Sequence, residues 1–243
     1  MTGKTHRVGG VVGGLVGFAV LKNNGLLVEE ISEPLQMILI HASSMYGSIL
    51  LDMDHDWDSC PSKDIFSWVI WKILHLTTPI RRWLQGGKFR RKIYKRVRGL
   101  LEFTDSKHRS WQTHSDLTLI LILGIMIYLP RLMSSSYDGI LITVLGEGIL
   151  FGVLSHLLLD MLTTDGIWSF ILAPLRILSN EKKDGVKDYL FRLHLVPDIK
   201  FFSTSDSDSP WERLIRGVMY IFIALICVYI LYLWSPYIVS FRL

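Results

Sequence analysis

Five apolar segments, separated by charged stretches, constrain the fold of this chain most strongly. They are Val8–Leu21, Leu35–Leu51, Leu117–Pro130, Ile140–Leu162 and Val218–Val239. The hydrocarbon core of a bilayer is about 30 Å thick and needs roughly 20 helical residues to cross it. Half of the 243 residues are apolar, more than a soluble domain needs for its core. The sequence therefore predicts an all-α integral membrane protein, a bundle of about five transmembrane helices forming a single domain over residues 1–243.

The first apolar segment is short and rich in glycine. Val8–Leu21 offers only 14 residues, fewer than a straight crossing needs. Its glycines leave a smooth helix face of the small-xxx-small kind: Gly9, Gly10, Gly13, Gly14 and Gly17. Such a face lets a neighbouring helix backbone approach closely in lipid. We therefore expect this helix at the centre of the bundle, with a loose interfacial segment as the alternative.

Lys and Arg are concentrated in two of the connections, and short loops rich in these residues stay in the cytoplasm. Residues 56–116 carry 13 Lys or Arg and residues 163–216 carry eight, whereas residues 22–34 have one Lys against three Glu. This distribution predicts a multi-pass protein with a basic cytoplasmic insertion at about 56–107 and a cytoplasmic loop at about 163–216.

Two local signals stand out in the second of these loops. Tyr189–Val196 alternates like a short strand, so the loop should contain some β structure. Asp208 or Ser209 followed by Pro210 predicts the start of the last helix, with Glu212 in its first turn.

The basic run Arg81–Arg98 interleaves aromatic and apolar residues with its charges. This pattern favours an amphipathic interfacial helix on anionic lipid headgroups. Nucleic-acid binding is the rival interpretation, because phosphates attract the same cations and aromatic rings stack on bases. The preference for positive charge on the cytoplasmic side already explains the run, which argues against nucleic acid as a partner and makes membrane lipid the expected one.

Four patches of metal-binding residue types lie at the predicted cytoplasmic ends of the apolar segments. They are His6; Asp52, Asp54 and His55; His108 and His114; and His156 and Asp160. The last pair is four residues apart, so a helix puts both on one face, in a segment where an unpartnered carboxylate is costly. Carboxylates and imidazoles together suit zinc, with manganese as an alternative. The sequence therefore predicts a divalent metal site.

The order of these motifs resembles the LexA-binding, inner-membrane-associated metal-dependent hydrolases, a family distantly similar to zinc-dependent phospholipase C. The elements that carry the resemblance are Thr5-His6, LLDMDHD at 50–56, HRSWQTHS at 108–115, LSHLLLDMLTTDG at 154–166 and SDSPWERLIR at 207–216. They span nearly the whole chain. Departures are Leu51 for the expected Pro, Ser110 for Gly, and Ser207 or Ser209 for the Gly before Glu212.

This resemblance implies metal ligation by some of the following residues: His6, Asp52, Asp54, His108, His114, His156 and Asp160. It also implies an inner-membrane location and hydrolysis of a phosphoester, lipid or lipid-linked, at the cytoplasmic headgroup level. Asp54, Arg109 and Glu212 are the expected catalytic residues, with Glu212 a further ligand or a base. Arg109 could grip a phosphate with its planar fork, or it could be only a cytoplasmic anchor.

Two other classes of function stay open at this point. Acids and histidines inside a membrane also serve proton or metal transport, although the halves of this chain show no inverted repeat of the transporter kind. A regulatory or scaffolding membrane protein could use its basic segment to hold anionic lipid or nucleic acid. The sequence also allows a homo-oligomer.

Overall fold

A computed structural model of the chain describes residues 3–54, 63, 65–74, 80, 82, 83, 85, 90, 113–132, 137–163, 166–169, 171, 191–193, 195 and 209–240. The described part is mostly helical. The helices are α1 (Gly3–Asn23), α2 (Glu33–Leu50), α3 (Ile65–Leu74), α4 (Asp116–Leu132), α5 (Tyr137–Met161) and α6 (Pro210–Ser240). A 3₁₀ turn, Leu51–Asp54, continues α2, and two short strands, β1 (Ile167–Ser169) and β2 (Phe191–Leu193), pair antiparallel.

The connection between α1 and α2 is closed by backbone and side-chain hydrogen bonds. After α1 ends, Gly25 adopts φ +64°, and the amides of Gly25 and Leu26 donate to the carbonyls of Lys22 and Leu21. This is a Schellman arrangement, which satisfies carbonyls that a helix end leaves open. The buried Gln36 side chain then bonds Val28 and Ile31 in the loop. As a result α2 turns back antiparallel to α1.

Helices α1, α2 and α5 pack against one another at backbone distance. A Cβ placed on Gly13 would lie 2.8 Å from Phe151 O, and one on Gly14 would lie 3.0 Å from His41 Cα. The contact between α2 and α5 is closer still, since a Cβ on Gly152 would overlap the Ser44 carbonyl oxygen. Glycine permits this approach because it lacks a side chain. The predicted central position of the glycine-rich first helix is confirmed.

The five predicted apolar segments coincide with helices α1, α2, α4, α5 and α6. Within the described part of the chain, Asp138–Met161 is the one helix segment that is long and apolar enough to span a membrane. Helix α1 is longer than its apolar run because the run is preceded by Gly3–Arg7, which continues the helix. Large apolar side chains are exposed along α4 and α6, among them Leu121, Tyr128, Ile221 and Leu225. Apolar surface on this scale is typical of a face covered by lipid or protein.

The segments around the end of α5 meet at one end of the helices. The Trp168 amide donates to His114 O at 2.9 Å, which joins β1 to the start of α4, and the Trp211 indole donates to Leu162 O at 2.9 Å, which joins α6 to the end of α5. Strand β2 lies inside the predicted alternating stretch, so that prediction is confirmed. The predicted start of the last helix is also confirmed, because the Glu212 amide donates to Ser209 Oγ at 3.2 Å.

The close contact of α2 with α5 predicts that Gly152→Ala destabilises the protein. The added methyl group would overlap the α2 backbone at Ser44, and overpacking of this kind costs about 1–3 kcal/mol. Gly217→Ala, in α6 where nothing lies within 4 Å of the added Cβ, is the matched control. Thermal unfolding in detergent, followed by circular dichroism, should show a lower midpoint for Gly152→Ala alone. Equal midpoints for the two variants would contradict the packing described.

Candidate metal centre

Five buried side chains from four parts of the chain converge at the end of the α1, α2 and α5 bundle. They are His6, Asp52, His114, His156 and Asp160, and none of these side chains is more than 8% exposed. Carboxylates are almost never buried this completely unless they are paired or bind a metal. Two carboxylates and three imidazoles share one interior space here.

All five side chains lie at or next to the end of a helix. His6 lies in the first turns of α1 and Asp52 in the 3₁₀ turn after α2. His114 directly precedes Ser115, whose hydroxyl accepts from the Thr118 amide at the start of α4. His156 and Asp160 lie in the last two turns of α5. The site therefore depends on helix ends meeting at one level of the bundle.

The nitrogen and oxygen atoms that could bind a metal are closely spaced. His156 Nε2 lies 3.1 Å from His114 Nε2 and 3.2 Å from Asp160 Oδ2. His114 Nε2 lies 3.4 Å from the same Asp160 oxygen, and His6 Nε2 lies 3.5 Å from Asp160 Oδ1. Asp52 Oδ1 lies 3.8 Å from the Nε2 atoms of both His114 and His156.

These separations fit the donor set of a zinc site. Ligands about 2.0–2.1 Å from zinc in tetrahedral geometry lie about 3.3–3.4 Å from one another. His114, His156 and Asp160 meet this requirement, with ligand atoms 3.1–3.4 Å apart. A second set, His6, Asp52 and His156, is looser, with its ligand atoms within 4.8 Å of one another. His156 belongs to both sets.

Neighbouring groups fix the orientation of two of the imidazole rings. His156 Nδ1 lies 2.5 Å from the Ser48 carbonyl, which can only accept, so this nitrogen carries the proton. His114 Nδ1 is hydrogen-bonded to the Thr113 hydroxyl at 2.8 Å. In both residues Nε2 is thereby turned toward the carboxylates. Metal-binding histidines commonly use their second nitrogen in this way.

The His6 ring stacks on the His156 ring. The His6 and His156 ring centroids are 3.7 Å apart and the rings are nearly parallel, at 10°. His6 Nδ1 is buried and makes no hydrogen bond to any described residue. A buried nitrogen without such a bond is uncommon in a folded protein, and it is consistent with a site built for a further ligand.

Burial and neighbouring charges shift the pKa values of Asp52 and His6. Burial by itself would raise the pKa of Asp52, but the His156, His6 and His114 rings hold this pKa below its usual range. Burial lowers the pKa of the His6 ring well below its ordinary value, and the adjoining His156 ring lowers this pKa further. An ionised carboxylate and a neutral imidazole are the states that coordinate metal ions.

Glu212 joins the site from the last helix. Its side chain is fully buried, and its Oε1 accepts a hydrogen bond from the Thr5 hydroxyl at 2.5 Å. Arg216, one turn further along α6, donates to the same hydroxyl at 3.5 Å. Since Thr5 directly precedes His6, this link holds the first and last helices together beside the cluster.

The structure thus brings together five of the eight predicted ligands, His6, Asp52, His114, His156 and Asp160, with Glu212 tied to the residue before His6. The backbone of Asp54 lies in the 3₁₀ turn, and the Asp54 side chain lies outside the described residues, as do His55, His108 and Arg109. Thr113, the Ser48 carbonyl and Arg216 were not singled out from the sequence. A carbonyl carries no sequence signal, whereas Arg216 follows Glu212 by one helical turn and could have been found from that spacing.

Comparison with known proteins identifies one family. A family model described as the YdjM inner membrane protein matches residues 1–238. No curated protein and no solved structure matches the chain. The family match supports the inner-membrane part of the resemblance drawn from the motifs.

The convergence on Asp160 predicts that Asp160→Asn weakens metal binding. The amide keeps the shape of the carboxylate but loses its charge, so affinity should fall by more than the about 10–100-fold typical of changes outside the ligand set. Asp138→Asn, at the exposed start of the same helix, is the matched control. Elemental analysis of the purified variants after dialysis against limiting zinc measures the difference. Equal zinc contents in the two variants would rule out Asp160 as a ligand.

The hydrogen bond between Thr5 and Glu212 predicts a different effect for Thr5→Val and Thr5→Ser. Valine has the shape of threonine but removes a donor to a buried carboxylate, which costs about 1–3 kcal/mol of unfolding free energy. Serine keeps the hydroxyl and should retain most of the wild-type stability. Chemical denaturation in detergent compares the three proteins. If Thr5→Ser is as unstable as Thr5→Val, the lost methyl group matters and the hydrogen bond does not.

Proposed function

The chain belongs to the YdjM inner membrane protein family, and from that premise we propose that it is a membrane-bound, metal-dependent hydrolase that cleaves a phosphoester of a lipid or lipid-linked substrate. The observation that supports this proposal most directly is the buried cluster of two carboxylates and three imidazoles. Such a mixture favours zinc, with manganese as the alternative, over the all-oxygen sites of magnesium or calcium.

Five side chains would hold the metal, namely His6, Asp52, His114, His156 and Asp160. The chemistry that a metal supplies in such a site is activation of water at neutral pH and shielding of phosphate charge. The two overlapping ligand sets both contain His156, whose Nε2 is its one available ligand atom because Nδ1 donates to the Ser48 carbonyl, so the two sets would be alternative ways of holding one ion. The Ser48 carbonyl and the Thr113 hydroxyl keep the His156 and His114 rings oriented, so that little reorganisation is needed when substrate binds.

Glu212 is our candidate for the general base. Its carboxylate is buried, its Oε1 accepts a hydrogen bond from the Thr5 hydroxyl, and the carboxylate would take a proton from water. Asp54 and Arg109 stay proposals from the motifs, Asp54 as a second catalytic carboxylate and Arg109 as a fork that orients the substrate phosphate. In this scheme the described residues supply the ligands and the base, and the HRSWQTHS segment supplies the phosphate contact.

The proposed location is the cytoplasmic headgroup level of a multi-pass protein. His156 and Asp160 lie at the C-terminal end of Asp138–Met161, the candidate span, so the cluster would lie at one membrane surface. The connections rich in Lys and Arg follow directly after the 3₁₀ turn and after α5, which favours the cytoplasmic side. A lipid headgroup at this level would reach the cluster without leaving the membrane.

Metal or proton transport is the second candidate, and one residue favours it. Glu147 lies near the middle of the candidate span and is only partly buried. Ionisable residues at that depth often mark ion pathways. Glu147→Gln in reconstituted liposomes separates the two functions, because loss of zinc or proton flux with unchanged hydrolysis would assign the residue to transport.

The hydrolase proposal predicts that the purified protein, reconstituted with zinc, releases a phosphorylated or free headgroup from phospholipid. Glu212→Gln should lower kcat by about 10²–10⁴-fold, the usual contribution of a general base, while keeping its zinc. Asp52→Asn should lose zinc and activity together, and Asp138→Asn should retain both. Mass spectrometry of the lipid products measures turnover.

Two results would count against this proposal. One is a zinc-loaded protein that hydrolyses neither phospholipid nor a soluble aryl phosphate. The other is Glu212→Gln with unchanged kcat, which would remove Glu212 from the mechanism and leave it a structural role with Thr5.

A further inference from the structure

Helix α3, residues Ile65–Leu74, has its apolar side turned outward. Ile65 is 82% exposed, and Trp68 and Val69 are 46% and 42% exposed, whereas Ser67 is fully buried. Residues 65, 68 and 69 are spaced so that they share one face of a helix. A helix on a water-facing surface shows the opposite arrangement, with polar residues outward. The outward face of α3 is therefore suited to an apolar environment.

Lys72 lies at the border of this face. Lys72 Nζ lies 5.4 Å from the Trp68 ring centroid and 5.3 Å from the Trp71 centroid, within the range of cation–π attraction. Tryptophan favours the boundary between membrane and water, and a lysine can extend its ammonium from an apolar surface into the headgroups. Together they are complementary to an anionic lipid surface and not to a purely apolar protein groove.

Helix α3 is also tied to the support of the metal cluster. It packs against the 3₁₀ turn that carries Asp52. The Ser67 hydroxyl, on the buried side of α3, is hydrogen-bonded to the Tyr46 hydroxyl of α2 at 2.8 Å. The depth of α3 in the membrane and the depth of the cluster are therefore coupled.

We propose that α3 is an interfacial helix that lies in the anionic headgroup layer of the membrane and fixes the Asp52 end of the bundle at that level. Its 10 residues span about 15 Å, too short to cross a bilayer core of about 30 Å. An exposed apolar face with a cation at its edge is the composition of helices that lie flat in this layer. A lipid surface is available to cover this face, since the chain belongs to an inner-membrane family. The proposal holds whether or not the cluster is hydrolytic.

Depth-dependent quenching in nanodiscs tests the position of α3. A fluorophore on Val69→Cys, in a background with Cys60→Ser and Cys227→Ser, should be quenched by lipids that carry a nitroxide near the headgroup and protected from aqueous iodide. The same label on Glu30→Cys, in the exposed loop between α1 and α2, is the control and should show the reverse. A label at 69 that behaves like the label at 30 would overturn the proposal. Protection from both quenchers would also overturn it, because a protein partner would then cover the face.

The role of Lys72 is tested by varying the lipid charge. Adding phosphatidylglycerol to neutral nanodiscs should increase the nitroxide quenching at position 69 in the wild-type background. Lys72→Gln should abolish the increase, and Lys72→Arg should retain it. Quenching that is independent of lipid charge in the wild-type background would show that α3 does not recognise anionic headgroups. Zinc content, measured in the same samples, establishes that the variants are folded around an intact cluster.

Discussion

The close approach of the α1, α2 and α5 backbones is the constraint on which the site depends. Larger side chains at Gly13, Gly14 or Gly152 would force these helices apart. The His156 ring could then no longer reach both the Ser48 carbonyl of α2 and the His6 ring of α1. Glycine in these helices is thus a requirement of the cluster's geometry as well as of close helix packing.

Burying two carboxylates beside three imidazoles creates an electrostatic problem that the cluster solves internally. Asp52 has two imidazole nitrogens at 3.8 Å and Asp160 has three within 3.5 Å, and the Nδ1 atoms of His114 and His156 are hydrogen-bonded to protein groups. Removing one member would leave the others buried and unpaired, which is more costly than the pair itself is stabilising. The cluster should therefore respond to substitution as a unit, and single-residue effects should not add.

The sequence predicted helices α1, α2, α4, α5 and α6 and the convergence of the cluster, but not α3 or the contacts that orient the cluster. Apolar runs located the helices, and the distribution of basic residues among the connections predicted that His6, Asp52, His114 and Asp160 share one level. The partner of His156 Nδ1 is a backbone carbonyl 108 residues away, and a backbone carbonyl cannot be recognised from residue type. The outward face of α3 was likewise not predicted, because its tryptophans lie within a connection that is rich in Lys and Arg.

The hydrogen bond between Thr5 and Glu212 joins residues 207 positions apart in the chain. It has a consequence for the order in which the protein is made. All five cluster residues are synthesised before Pro210, so they emerge from the ribosome ahead of α6. The buried carboxylate of Glu212 arrives only with the last helix. Completion of the site is thus coupled to synthesis of the last helix, and an unfinished chain would hold the cluster without Glu212.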